Sequence, residues 1–184
     1  SELAQYALLP DISRASIGLA AINSLIEADE SKCVEMNASD ILIKYGKDKN
    51  VSVIGHFPFT EELRKAAKSL WVIEKWLRPG DYPEDTAQKY LPKSDVIAIS
   101  STTLINHTLE ELLEYCGKSS IKMLLGPTTP FSEVLFDYGI DFISGSRVLD
   151  TKTALKSIRE GANFRQLKRT GAIRLMTMSK SVNF

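Results

Sequence analysis

The side chains with chemistry to offer are two histidines, one pair of carboxylates and three hydroxyl-rich turns. His56 and His107 are the only histidines, and each stands just after an apolar run that reads as a strand. Near neutral pH an imidazole serves as a general base or a metal ligand. Glu74 lies inside the run WVIEKW, and Asp81 follows in the turn PGDYP. An unpaired buried carboxylate is costly, so Glu74 must either reach solvent at a strand end or be held by a partner. His56, Glu74 and Asp81 together would supply nitrogen and oxygen ligands for a divalent or heavy metal ion. His56 alone would supply a base.

The turns carry hydrogen-bonding groups rather than charge. Gly55-His56-Phe57-Pro58 follows one strand, and Ser100-Ser101-Thr102-Thr103 follows another, with Asn106, His107 and Thr108 beyond it. Gly126-Pro127-Thr128-Thr129-Pro130 follows a third. Hydroxyls and backbone amides at helix starts suit an anion or a polar small molecule. The same hydroxyls also suit helix capping, and Pro58 also suits a stiff turn. Neither GxGxxG nor GxxxxGK[ST] occurs, so neither nucleotide fingerprint is supported. Glu110, Glu111 and Glu114 read as a solvated helix face, and Lys168, Arg169 and Arg174 as a surface cluster.

These turns need a scaffold to bring them together. The runs 51–55, 71–76, 95–101, 121–126 and 140–146 are short and apolar, and a last run near AIRLMTM is a further strand candidate. Amphipathic stretches at 60–70, 85–91, 109–116, 131–139 and 150–161 alternate with them. Strands alternating with helices require crossovers and hence a parallel sheet. Runs such as VIAIS lack polar alternation, which suits a sheet covered on both faces. The spacing therefore predicts an α/β, three-layer, Rossmann-like domain with a mostly parallel sheet of five or six strands. In such sheets ligands bind beyond the strand carboxyl ends, where strand order reverses. Residues 49–184 hold this pattern. Residues 1–48 read as an N-terminal helical appendage packed on the sheet, with a helix over 14–28 placing Ile17, Ala20, Ala21, Ser24, Leu25 and Ala28 on one side. Ser39–Tyr45 forms a second, shorter helix ended by Gly46.

Composition narrows the partners. The 23 basic residues balance 23 acidic ones, which removes the electrostatic reason to expect nucleic acid or an anionic membrane. No apolar run approaches the roughly 20 residues that span a bilayer, and no leader is visible at the start of the sequence. A cytoplasmic location is expected. Cys33 and Cys116 lie far apart with no CxxC spacing, so neither a disulfide nor a thiolate metal site is expected.

The order of VIGHFPF, VIE with RPGDYP, LPKSDVIAISSTTLINHTLEELL and LLGPTTPFSEVLFDYGIDFISG resembles a prokaryotic domain-of-unknown-function family described by heavy-metal chelation. The resemblance runs over roughly residues 10 to 165. It implies a Rossmann-like C-terminal domain and, upstream in the family, a domain resembling the N-terminal domain of enolases, with the site between the two. It carries over Gly55, His56, Pro58, Glu74, Asp81, Thr102, Thr103, Asn106, Thr108, Gly126, Pro127 and Thr128 as site candidates. Asn23, on the N-terminal helix, is expected to reach the same cleft from the other side. Three functions follow as expectations. The first is a module binding a metal, a metal complex or an anionic small molecule, in metal-cofactor metabolism. The second is an enzyme, a transferase or lyase, acting on a polar anionic substrate. The third is an assembly or regulatory domain, a homo-oligomer for example, which an exposed patch of Phe59, Trp71 and Trp76 would favour.

Overall fold

The computed structural model describes residues 2–181. Five parallel strands form the body of the sheet: β2 (Asn50–Ile54), β3 (Ser69–Ile73), β4 (Val96–Ser100), β5 (Ile121–Leu125) and β6 (Phe142–Val148). β7 (Ile173–Ser179) adds antiparallel to β6, and the two-residue β1 (Cys33–Val34) adds antiparallel to β7. The sheet thus has seven strands, in the order β1-β7-β6-β5-β4-β2-β3. β1 exceeds the expected five or six because two residues carry no periodicity to read.

Strand side chains alternate between two cores. Val96 and Ala98 of β4 pack with Val51, Val53 and Val72 on one face, under α2 (Ala38–Gly46) and α3 (Thr60–Ala66). Ile97 and Ile99 pack with Leu124 and Ile143 on the other. That face lies under α4 (Ala87–Tyr90), α6 (Leu109–Tyr115) and α7 (Val134–Asp137). Both faces are covered, which explains the unbroken apolar runs. Fully burying one such aliphatic side chain contributes about 1.5–3 kcal/mol. α5 (Thr102–Ile105) is a single turn after β4, while α8 (Thr151–Arg159) and α9 (Phe164–Arg169) connect β6 to β7. β3 starts at Ser69 and ends before Glu74, because its parallel register on β2 pairs Ser69 with Asn50 and Ile73 with Ile54.

The first 48 residues divide. β1 joins the sheet, and α2 contributes Ile41 and Leu42 to the core. Ahead of them lie α1 (Ile12–Leu25) and a 3-10 segment, Glu2–Leu8. The buried face of α1 is Ala15, Gly18 and Leu19, whereas Ile17, Ala20, Ser24 and Leu25 of the expected stripe are exposed. The reason is the 3-10 segment. Its backbone at Ala7 lies where a Cβ on Gly18 would stand 1.9 Å away, so α1 turns its smallest residue towards it. Among the described residues no helix is long and apolar enough to cross a membrane.

Candidate functional site

β2 lies between β3 and β4, so the chain reverses its direction of winding between β2 and β4. The turns after those strands diverge and leave a crevice, as expected at a switch in strand order. Its volume is about 670 Å3, within the range of small-molecule sites. Gly55 forms its floor with φ +99, and a Cβ there would stand 3.1 Å from the Ser100 Cβ. His56, Thr102, Thr103, Asn106 and Thr108 line it together with Glu74.

Each of these side chains is held from below. Thr103 is buried and its hydroxyl donates to the Ser100 carbonyl (2.7 Å). Thr102 Oγ1 pairs with Ser100 Oγ (2.8 Å), and Thr108 Oγ1 donates to Asn106 Oδ1 (2.8 Å). Glu74 caps the end of β3: its carboxylate accepts from the backbone amides of His56 (3.0 Å) and Lys75 (2.6 Å). Asp81 accepts from the Arg78 amide (3.0 Å), closing the RPGD turn, and meets His56 Nδ1 at 3.2 Å. Its side chain is 1% exposed. A carboxylate oxygen can only accept here, so Nδ1 carries a hydrogen, and Nε2 is the ring nitrogen left for other work.

His56, Glu74 and Asp81 therefore do meet, but as a hydrogen-bonded latch. Glu74 is spent on main-chain amides, while Asp81 uses Oδ2 for both the turn amide and the imidazole and leaves its buried Oδ1 without a hydrogen-bond partner. Among the described residues no group of three His, Cys, Asp or Glu is arranged to hold a metal ion. The thiols do not fill the gap, since Cys33 and Cys116 are both free. Burial pushes Cys116 up to about 11 and also raises Cys33. Iodoacetamide should accordingly modify Cys116 in the folded protein about two orders of magnitude more slowly at pH 7.5 than an ordinary thiol near pKa 8.5. Peptide mass spectrometry against the denatured chain checks this, and equal rates would show the thiol to be open.

The remaining candidates lie elsewhere on the same edge. Pro58 is exposed in the turn before α3. Pro127, Thr128 and Asn23 line a second cavity on the far side of α5, where Asn23 Nδ2 donates to the Thr128 carbonyl (2.8 Å). Gly126 lines neither space; Ser101, which leads into α5, packs directly on it. Two of the three turns thus share the crevice, and the third belongs to its neighbour. His107 Nε2 meets the Leu9 carbonyl (2.8 Å), pinning the N-terminal segment. Phe59 and Trp71 are partly covered, stacked on Phe57 and Tyr90, so the expected aromatic patch reduces to Trp76, 81% exposed.

The sequence reading missed the acidic rim. Glu84, Asp85 and Glu111 line the crevice, with Gln88 and Tyr115. Tyr115 donates to Glu111 (2.7 Å), which holds its hydroxyl above the usual phenol range, and Gln88 donates to Tyr115 (3.2 Å). The available signal was Glu111 and Tyr115 one helical turn apart, on the helix that follows the β4 turn.

Strand order and cleft together define a Rossmann-like α/β domain with its cleft at the strand switch. A family model described as "Putative heavy-metal chelation", DUF364, matches residues 37–177. The chain belongs to the DUF364 family. It is 27% identical over 175 residues to the uncharacterized protein MJ0500 of Methanocaldococcus jannaschii, covering 91% of this chain and 67% of that protein. A DUF364 crystal structure from Desulfitobacterium hafniense is similar at TM-score 0.84 and 29% identity, over 97% of this chain and 74% of that one. A DUF364 structure from Pyrococcus horikoshii shares the fold at TM-score 0.82 and 20% identity, over 97% and 74% of the two chains.

Proposed function

We propose that the crevice binds a cationic small molecule or a cationic metal complex as its guest. The observation that carries this reading is the charge of the lining. Glu74, Glu84, Asp85 and Glu111 face the crevice against a single lysine, Lys75. A concave wall of one sign concentrates guests of the other. An anionic substrate, expected from the hydroxyl-rich turns, would meet that field unfavourably. A bare heavy-metal ion would find Glu74 already used and, of Asp81, only the enclosed Oδ1 free, with no third ligand gathered beside it among the described residues. A metal that arrives inside a cationic complex needs hydrogen-bond acceptors rather than open coordination sites, and the rim supplies them. This keeps the family's link to metals without asking the chain for a ligand set. The balanced charge of the whole chain gives nucleic acid no foothold in the same reading.

A second reading rests on the Asp81–His56 pair. A carboxylate that fixes one imidazole nitrogen leaves the other to accept a proton, the arrangement of a general base. His56 would then act on a bound guest that presents an acidic proton.

The test uses hexaamminecobalt(III), a cationic complex that does not shed its ligands and presents only N–H donors. At about 100 times its Kd a guest stabilises the folded state by about 2.7 kcal/mol, which for a chain of this size raises Tm by about 5–10 °C. The shift should shrink as salt rises and vanish in the triple variant Glu84→Gln, Asp85→Asn, Glu111→Gln. Stabilisation by sulfate or phosphate, with none from the cobalt complex, would overturn the reading.

A further inference from the structure

The second cavity has a volume of about 700 Å3 and lies beneath α1, beside the turns after β5 and the outer half of β6. Only α5 stands between it and the crevice: Thr102 and Thr103 face one space and Ile105 the other. The two spaces differ in charge. Among the described residues no acidic side chain lines the second cavity, and Arg147 is its one charged lining residue. Arg147 pairs with Glu30 (2.9 Å), but both partners are 43% and 64% exposed, so water and salt weaken that pair and a guest anion can displace it.

The neutral polar groups point to the rest of the guest. Ser16 and Ser24 hydroxyls donate to carbonyls of their own helix. Ser146 donates to the Pro127 carbonyl, and Thr129 to that of Gly126. Each of these four hydroxyls has spent its hydrogen inside the protein and keeps lone pairs to offer. The Asn23 Oδ1, buried at the same wall, has no hydrogen-bond partner. Thr151 and Thr128, whose hydroxyl meets Ser101 Oγ at 3.4 Å, complete a polar wall on which acceptors outnumber donors. Its remaining surface is apolar, with Leu19, Ile26, Phe131 and Val148.

We propose that this cavity is a second ligand site, for a small monoanion with an apolar body and its own O–H or N–H donor, such as a hydroxy- or amino-substituted aromatic carboxylate. Arg147 holds the carboxylate, the hydroxyl-lined wall accepts from the donor, and the apolar wall covers the body. The site is independent of the crevice and of the guest proposed there.

Calorimetric titration with 6-hydroxy-2-naphthoate, whose hydroxyl lies too far from its carboxylate to bond to it, tests it, beside the neutral 6-hydroxy-2-naphthamide and the donorless 2-naphthoate. The acid should bind, with the amide at least tenfold weaker and 2-naphthoate severalfold weaker. Arg147→Gln, at an exposed position, should lower affinity at least tenfold with Tm unchanged. Ala20→Trp, on the exposed wall, should block binding. The triple variant at the crevice rim should bind the acid as the wild type does, so a failure of the crevice reading leaves this result intact. Equal binding of acid and amide, wild-type affinity in Arg147→Gln, or no binding at millimolar acid would overturn the proposal.

Discussion

Replacing Asp81 with alanine should destabilise the protein by about 1–3 kcal/mol and abolish binding at the crevice. The carboxylate is almost wholly enclosed and serves two donors, the Arg78 amide and His56 Nδ1. Alanine leaves both without a partner; the Arg78 amide is exposed and can turn to water, while the part-buried imidazole donor cannot do so as readily, and an orphaned buried donor costs about 1–3 kcal/mol. The loss reaches the site because Asp81 ties two loops together. The turn after β3 carries Trp76 and leads to Glu84 and Asp85, while the turn after β2 carries His56. Unlatched, His56 keeps only its backbone bond to Glu74. Asp81→Asn separates stability from orientation. Its carbonyl can still close the turn, so most stability should return, while the anion facing the imidazole is gone. Urea denaturation measures the first effect, and 15N chemical shifts of His56 report the second through the tautomer. If Asp81→Ala unfolds with the wild-type midpoint and keeps the Nδ1–H tautomer, the latch is ornamental.

The latch also shows what a sequence can and cannot reveal. VSVIG, VIAIS and IKMLLG announce buried parallel strands through composition alone, since a doubly covered sheet asks only for short apolar runs, whereas β3 reads as WVIEKW, two residues late, because Ser69 and Leu70 continue the amphipathic stretch before it. The strand switch then places His56 and Thr102 on one edge by topology. That Glu74 and Asp81 approach His56 is offered by the sequence only as one arrangement, because sequence does not fix the separation of loops that follow different strands; the pairing of β2 with β3 brings them together. What those carboxylates do there was not legible. Metal ligation and amide capping use the same residue types, and only distances separate them. Glu111 was hidden for another reason: an exposed carboxylate on a short amphipathic helix looks identical whether bulk water or a crevice lies beyond it. α1 misled because its apolar residues outnumber its buried positions, and the close approach of the 3-10 segment to Gly18 leaves no periodic trace.

Gly126→Val should cost about 3–5 kcal/mol, lowering Tm by on the order of 10 °C, and should open the wall between the two cavities. Gly126 ends β5 with φ +151, a conformation that a β-branched residue adopts only under strain. A Cβ there would stand 2.3 Å from the Ser101 Oγ, and Ser101 is 2% exposed, so its hydroxyl has little room to retreat. Ser101 starts the turn into α5 and faces Thr128 Oγ1 at 3.4 Å, so pushing it displaces the helix that both cavities share. Stability and both binding events should therefore fall together in this variant, whereas rim and Arg147 substitutions each affect one. Gly126→Ala should show the same pattern at reduced amplitude, since the Cβ clash persists and the β-branch is gone. Calorimetric melting with titration of hexaamminecobalt(III) and 6-hydroxy-2-naphthoate reads all three quantities. A Gly126→Val protein that melts with the wild type and binds both probes normally would mean that Ser101 and α5 yield freely, and that the wall between the cavities is not rigid.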